Sequence, residues 1–140
     1  MKTVQKGQTL PGLEKPPITK EQLKLYASAS LDHNPIHLDE AEAKKAGLPG
    51  IIAHGMLTMG FMSEFLQQAI GHLGLKNGRI YEMDCRFKSM VFPGDRISVH
   101  GTVKEVSDEG AVPKVSCDIA AVSQTGETVA TGHGILISEG

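Results

Sequence analysis

The spacing of apolar and polar positions changes once along this chain, near Gly78, from a helical period to a two-residue alternation. Before that point Leu23, Tyr26, Ala27 and Ser30 share one helical face. Thr19 with Gln22 makes a capping box and Ile18 with Leu23 the matching hydrophobic staple, so a helix is predicted to start after Thr19. It should end near Leu31, because Asn34 precedes Pro35 and is pushed out of helical geometry. Asp32 and His37 then fall in a loop. A second short helix is predicted after Asp39, with Glu42 as capping partner, stopping around Gly47-Leu48-Pro49-Gly50. From roughly His54 to Gly71, apolar residues cover most of the helical circumference, and a helix so apolar is a buried one. Gly55 and Gly60 would let another backbone come close, which favours a central helix wrapped by a sheet.

After Gly78, Ile97, Val99, Gly101 and Val103 alternate with polar residues, as do Val115, Cys117, Ile119 and Ala121; Thr131, His133, Ile135 and Ile137 repeat the theme. Turns are expected at Pro93-Gly94-Asp95, over Ser107 to Gly110, and at Gln124-Thr125-Gly126. Consecutive strands with short connections predict an antiparallel meander and an α+β fold class. The opening segment to Pro17 holds three prolines and is expected to supply only a short edge strand and a connector.

At 140 residues one domain, 1–140, is expected. The 14 Lys and Arg against 16 Asp and Glu leave no block of like sign, so no nucleic-acid surface is predicted. Cys85 and Cys117 lack metal or redox spacing and sit in predicted strands, where a small buried hydrophobe is the commoner role. The opening residues lack a signal-peptide core and no apolar run is long enough to cross a bilayer, so the expectation is a cytoplasmic protein with no membrane partner.

The chemistry concentrates in Asp32-His33-Asn34-Pro35-Ile36-His37. An Asn-Pro turn can fold the Asp32 carboxylate and the His37 imidazole toward one water molecule, and an imidazole titrating near about 6.5 reaches either protonation state around neutrality. Asp32 and Asn34 could instead form Asx turns that only organise the loop. Downstream, Ala53-His54-Gly55-Met56-Leu57 opens the apolar helix, whose first amides could face a developing oxyanion. The two segments together point to hydration or dehydration next to a carbonyl.

These residues, with Arg86-Phe87 and Phe92-Pro93-Gly94-Asp95, resemble the MaoC-like family of (R)-specific enoyl-CoA hydratases and (3R)-hydroxyacyl thioester dehydratases, over roughly Tyr26 to Ile97. The resemblance implies a hot-dog fold, with Asp32 and His37 as the catalytic pair, the Gly55 amide on the thioester oxygen, and Ser63 near the site. For Ser63, a core hydroxyl bonded to the preceding turn is an equal alternative. His54 is expected to fix the loop or the helix start, and Asn34 to hold the Asp-His loop or touch substrate. One departure stands out: the residue before the catalytic Asp, commonly Gly in the family, is Leu31 here. Leu does not easily adopt positive φ, so the expectation is an ordinary backbone there or a differently shaped loop.

No cofactor is expected, coenzyme A or acyl carrier protein entering only as part of the substrate. Arg86 and Lys88 could meet the carrier's phosphates or be a solvated sheet face. His33, His72, His100 and His133 have no metal-ligand spacing, and no metal is expected. A homodimer or higher homo-oligomer is expected as the assembly. The competing functions are a hot-dog acyl-CoA thioesterase and a non-catalytic acyl-thioester-binding subunit.

Overall fold

A computed structural model describes residues 4–108 and 112–139. The predicted capping box forms: Thr19 accepts the Gln22 amide at 3.0 Å and opens α1, Lys20–Ser30. A single 3-10 turn, Pro35–His37, follows, and Asp39 accepts the Glu42 amide at 3.1 Å to open α2, Glu40–Lys45. The long helix α3 runs Gly55–Leu73 and ends on Gly74 in the left-handed conformation. Its buried side chains include Leu57, Phe61, Met62, Phe65, Leu66 and Ile70, as its apolar circumference requires.

The strands are β1 (Leu13–Glu14), β2 (Arg79–Phe87), β3 (Ser98–Ser107), β4 (Lys114–Val122) and β5 (Thr128–Ile137). They form one antiparallel sheet in the order β1-β3-β4-β5-β2. The meander holds for β3-β4-β5 but not for β2, which crosses to the far edge and pairs with β5. Two ties explain the crossing. The opening segment takes the other edge of β3, through Leu13 opposite Val99 and Thr9 opposite Thr102. The Phe92-Asp95 turn is in turn held to the start of α1, by Gly94 N–H on the Ile18 carbonyl (2.6 Å) and Ile18 N–H on the Asp95 carbonyl (2.9 Å). The turn expected over Ser107 to Gly110 reaches residues outside those described, as does the start of the N-terminal segment, Met1 to Thr3.

A second correction concerns β5. Thr131, His133 and Ile135 do not face the core; Gly132, Gly134 and Leu136 do, and they are buried. Gly134 lacks a side chain because α3 lies directly against it: a Cβ there would stand 2.6 Å from Leu66 Cδ1, and one on Gly101 of β3 would stand 2.8 Å from Phe65 Cε1. His133 points the other way, its Nδ1 3.1 Å from Asp84 Oδ1 and its Nε2 3.1 Å from Asp118 Oδ1, across three strands of the outer face. The helix thus sits in the hollow of a curled sheet, the α+β hot-dog arrangement.

Cys85 and Cys117 are free thiols in β2 and β4. Burial pushes both thiols up, Cys117 to about 11, so they stay protonated and unreactive at neutral pH. No helix among the described residues is long and apolar enough to cross a membrane.

The glycine seat gives a direct test. Gly134→Ala should destabilise the fold by about 1–3 kcal/mol through overpacking against Leu66, measured as a lowered denaturant midpoint; an unchanged midpoint would contradict the close approach.

Candidate active site

The loop between α1 and α2 is built by side chains bonding to their own backbone. Asp32 Oδ1 accepts the Asn34 amide at 3.2 Å and Asn34 Oδ1 accepts the Ile36 amide at 3.3 Å, so both Asx turns form. Asn34 is therefore the residue that starts the 3-10 turn and delivers His37. Leu31 ends α1 at φ 64°, ψ 18°, which overturns the expectation of an ordinary backbone. The chain must reverse immediately after α1 to bring Asp32 back toward the core, and Leu31 takes the left-handed conformation with its side chain 78% exposed.

The strap Ile52-Ala53-His54 holds this loop to the rest of the molecule. Ile52 N–H donates to the Ile36 carbonyl (3.2 Å) and Ala53 N–H to the Val91 carbonyl (2.7 Å). His37 Nδ1 lies 2.8 Å from the Ile52 carbonyl oxygen. A carbonyl only accepts, so Nδ1 carries the proton and a neutral His37 keeps its Nε2 lone pair free. By the same argument His54 donates Nε2–H to the Asp32 carbonyl at 3.1 Å. The two imidazoles stack, with ring centroids 3.9 Å apart and planes 24° apart, and Tyr26 of α1 packs on His54 at 4.8 Å.

Asp32, His37 and His54 each offer a donor atom within 4.8 Å of the others. Such a set invites a metal, but the stacking argues against one. Lone pairs lie in the ring planes, and two nearly parallel planes do not converge on a point about 2.0–2.1 Å from both nitrogens. His54 Nδ1 is moreover buried with no partner. The groups left for a shared ligand are His37 Nε2 and the exposed Asp32 carboxylate.

Gly55 is the first residue of α3, and its N-cap, His54, makes no side-chain capping bond; the Leu57 amide donates to the His54 carbonyl at 3.1 Å, so the amides left for a ligand among the described residues are those of Gly55 and Met56. Gly55 borders a cavity of about 340 Å³ with His37, Thr58, Phe87, Met90 and Val129. A Cβ on Gly55 would meet Phe87 Cζ at 3.1 Å, so the bare backbone is what lets the Phe87 ring close over the helix start. Ser63, eight residues on, is half-buried, outside this lining, and its hydroxyl makes no hydrogen bond among the described residues. Thr58, buried and lining the cavity, stands nearer; its i+3 relation to Gly55 was the signal for it in the sequence. Phe87 entered the sequence reading only as part of the Arg86-Phe87 resemblance, because its place at the cavity depends on β2 crossing the sheet. Lys88 lines both this cavity and a neighbouring depression of about 460 Å³ that also holds Arg86, Asp84 and His133. Neither Arg86 nor Lys88 has an ion-pair partner among the described residues.

Residues 3–131 match the family model described as MaoC like domain. The chain belongs to the MaoC-like domain family. Among curated relatives, it is 35% identical over 111 residues to fatty acid synthase 2 of Mycosarcoma maydis, covering 76% of this chain and 3% of that protein. It is 29% identical over 140 residues to UPF0336 protein Lxx02810 of Leifsonia xyli subsp. xyli, covering 94% of each. A synthase subunit beta of Aspergillus oryzae is 40% identical over 75 residues, and this MaoC-like chain spans only 4% of its length. Among solved structures, the (R)-hydratase from A. caviae involved in PHA biosynthesis superposes with TM-score 0.81 at 26% identity, covering 97% of this chain and 98% of that one. R-hydratase PhaJ1 from Pseudomonas aeruginosa superposes with TM-score 0.78 at 27% identity, covering 96% and 82%.

Two consequences are measurable. Leu31→Gly should raise stability by about 0.5–1 kcal/mol, because the left-handed backbone is relieved and an exposed side chain loses no packing; a lowered unfolding midpoint would contradict this. Burial first, then the neighbouring His37, lowers the His54 pKa below 6.5, against the opposing pull of Asp32. Below 6.5 the unfolded chain takes up a proton that the folded chain refuses, so this contribution to stability is whole above that pH and lost as pH falls. Unfolding titrations from pH about 7 to 5 should show a steeper loss in the wild type than in His54→Phe.

Proposed function

We propose that this protein is a hydro-lyase that adds water to 2-enoyl thioesters, giving (3R)-hydroxyacyl thioesters, and catalyses the reverse dehydration. The observation that carries the reading is the placing of a His37 ring nitrogen and an Asp32 carboxylate oxygen within 4.8 Å of one another, with His37 Nδ1 committed to the Ile52 carbonyl and the start of α3 at Gly55 left without a side-chain cap. One water between the pair would lose a proton to it as its oxygen bonds to C3. The protonated pair then gives a proton to C2, so both parts of the water end on the product and the pair returns to its starting state. Charge gathers meanwhile on the thioester oxygen, where the Gly55 N–H and the positive end of α3 stabilise it. The likeness to two (R)-hydratase structures supports the reaction class and its configuration.

The apolar wall formed by Phe87, Met90 and Val129 suits an acyl chain, and unpaired Lys88 and Arg86 beside it suit the phosphate of a coenzyme A or acyl-carrier arm. No group beyond the substrate is called on. In a thioesterase the water would attack the carbonyl carbon; an Asp32–His37 acid/base pair at this spacing favours the double bond instead.

Asp32→Asn and His37→Gln should each lower kcat at least about a hundredfold while folding normally, followed by loss of the conjugated absorbance of crotonyl-CoA. Near-normal turnover in either variant would sink the mechanism, and free coenzyme A released at the rate the absorbance disappears would install the thioesterase in its place.

The assembly we propose is a homodimer. Strand β2 pairs on one side only among the described residues, and Tyr81, Phe87, Met56 and Met90 are large apolar side chains left exposed on and beside it. Light scattering at micromolar concentration should give twice the chain mass of 15.0 kDa; a fully active monomer would contradict it.

A further inference from the structure

His54 is 1% exposed, and its two ring nitrogens are treated unequally. Nε2–H donates to the Asp32 carbonyl at 3.1 Å, while Nδ1 is buried without a partner. An ordinary N-cap residue would satisfy a helix amide from the same position at no such cost. His54 makes no side-chain capping bond at all. What a ring with a donor at its tip can do here is meet two partners at once: its face lies on His37 at 3.9 Å, and its edge grips the residue that bears the carboxylate.

We propose that His54 is the positioning residue of this cleft: its neutral ring clamps the Asp32 loop against the face of His37, fixing the separation of the pair and the direction of the free His37 nitrogen. The kinetic part of this proposal rests on the hydratase reading; the structural part does not. The clamp requires the Nε2–H tautomer, since the Asp32 carbonyl only accepts. A second proton on the ring would bury an N–H at Nδ1 with no acceptor. It would also set a cation against the imidazole that must itself receive a proton. The titratable groups facing the ring are Tyr26 from α1, Asp32 from the loop and His37 from the 3-10 turn, and the first turn of α3 adds no carboxylate. Burial, which opposes the charged form, agrees with a ring that stays neutral.

Nitrogen-proton correlation NMR of the imidazoles tests this without substrate. In the wild type, His54 should show the Nε2–H tautomer and His37 the Nδ1–H tautomer. His54→Phe keeps an aromatic face and loses the donor. It should fold, leave KM within about twofold, lower kcat about ten- to a hundredfold, and turn His37 from one tautomer into a mixture. His54→Asn, which keeps a donor but no ring face, should move kcat and the His37 signal in the same direction and serves if the Phe variant does not fold. The proposal is overturned if wild-type His54 carries its proton on Nδ1. It is equally overturned if a folded variant at 54 keeps both a single His37 tautomer and kcat within about twofold of wild type. A wild type inactive on crotonyl-CoA but with the stated tautomers would remove the hydratase reading and leave the clamp standing.

Discussion

The seating of α3 in the hollow of the sheet holds the cleft in place, because the helix start is the surface against which both reactive loops are folded. Phe65 over Gly101 and Leu66 over Gly134 set how deeply the helix sits. Fully burying side chains of this size contributes about 1.5–3 kcal/mol each, against about 1 kcal/mol net for a typical hydrogen bond. Packing therefore decides where Gly55 lies. The bonds from Ile52, Ala53 and His54 then adjust the loop to that fixed point rather than the reverse.

The loop meets that point by local devices. Two Asx turns in succession shape Asp32 to Ile36, and a left-handed Leu31 reverses the chain before them. A left-handed non-glycine residue costs about 1–2 kcal/mol, a strain held here because Asp32 is fixed from the other side by the His54 ring. The same strap assigns proton positions. By presenting the Ile52 carbonyl to Nδ1, it leaves His37, which lines the cavity, with Nε2 as its basic nitrogen. Withholding a capping side chain at His54 leaves the helix start one amide donor more than a capped one.

The relatives place this arrangement in different settings. In the fungal synthases the matching stretch is a few per cent of a very large chain, whereas the (R)-hydratase from A. caviae matches this chain nearly end to end. A shared fold does not by itself transfer a substrate. The argument for hydration accordingly rests on the pair and the open amides.

Sequence alone determined what is written in local chemistry. The Thr19 and Asp39 caps, the break at Asn34-Pro35, the burial of α3 and the alternation of β3 and β4 each depend on residues a few positions apart, and each formed as read. The Asp32–His37 pair was legible for the same reason: five positions around an Asn-Pro turn let the two side chains meet, while their exact setting is fixed from outside the loop. Tertiary structure alone decided the rest. The edge on which β2 pairs depends on which segment already occupies β3, and the facing of β5 depends on a helix that fills the space above Gly134 and on the β2 backbone lying against Gly132, residues that carry no hydrophobic signal. Leu31 is left-handed because of a bond made by a residue 23 positions further on, not because of its own preference. Thr58 and Phe87 border the cavity, and Ser63 does not, because helix rotation and strand crossing set which side chains converge; those are properties of packed elements, which no single stretch of sequence contains.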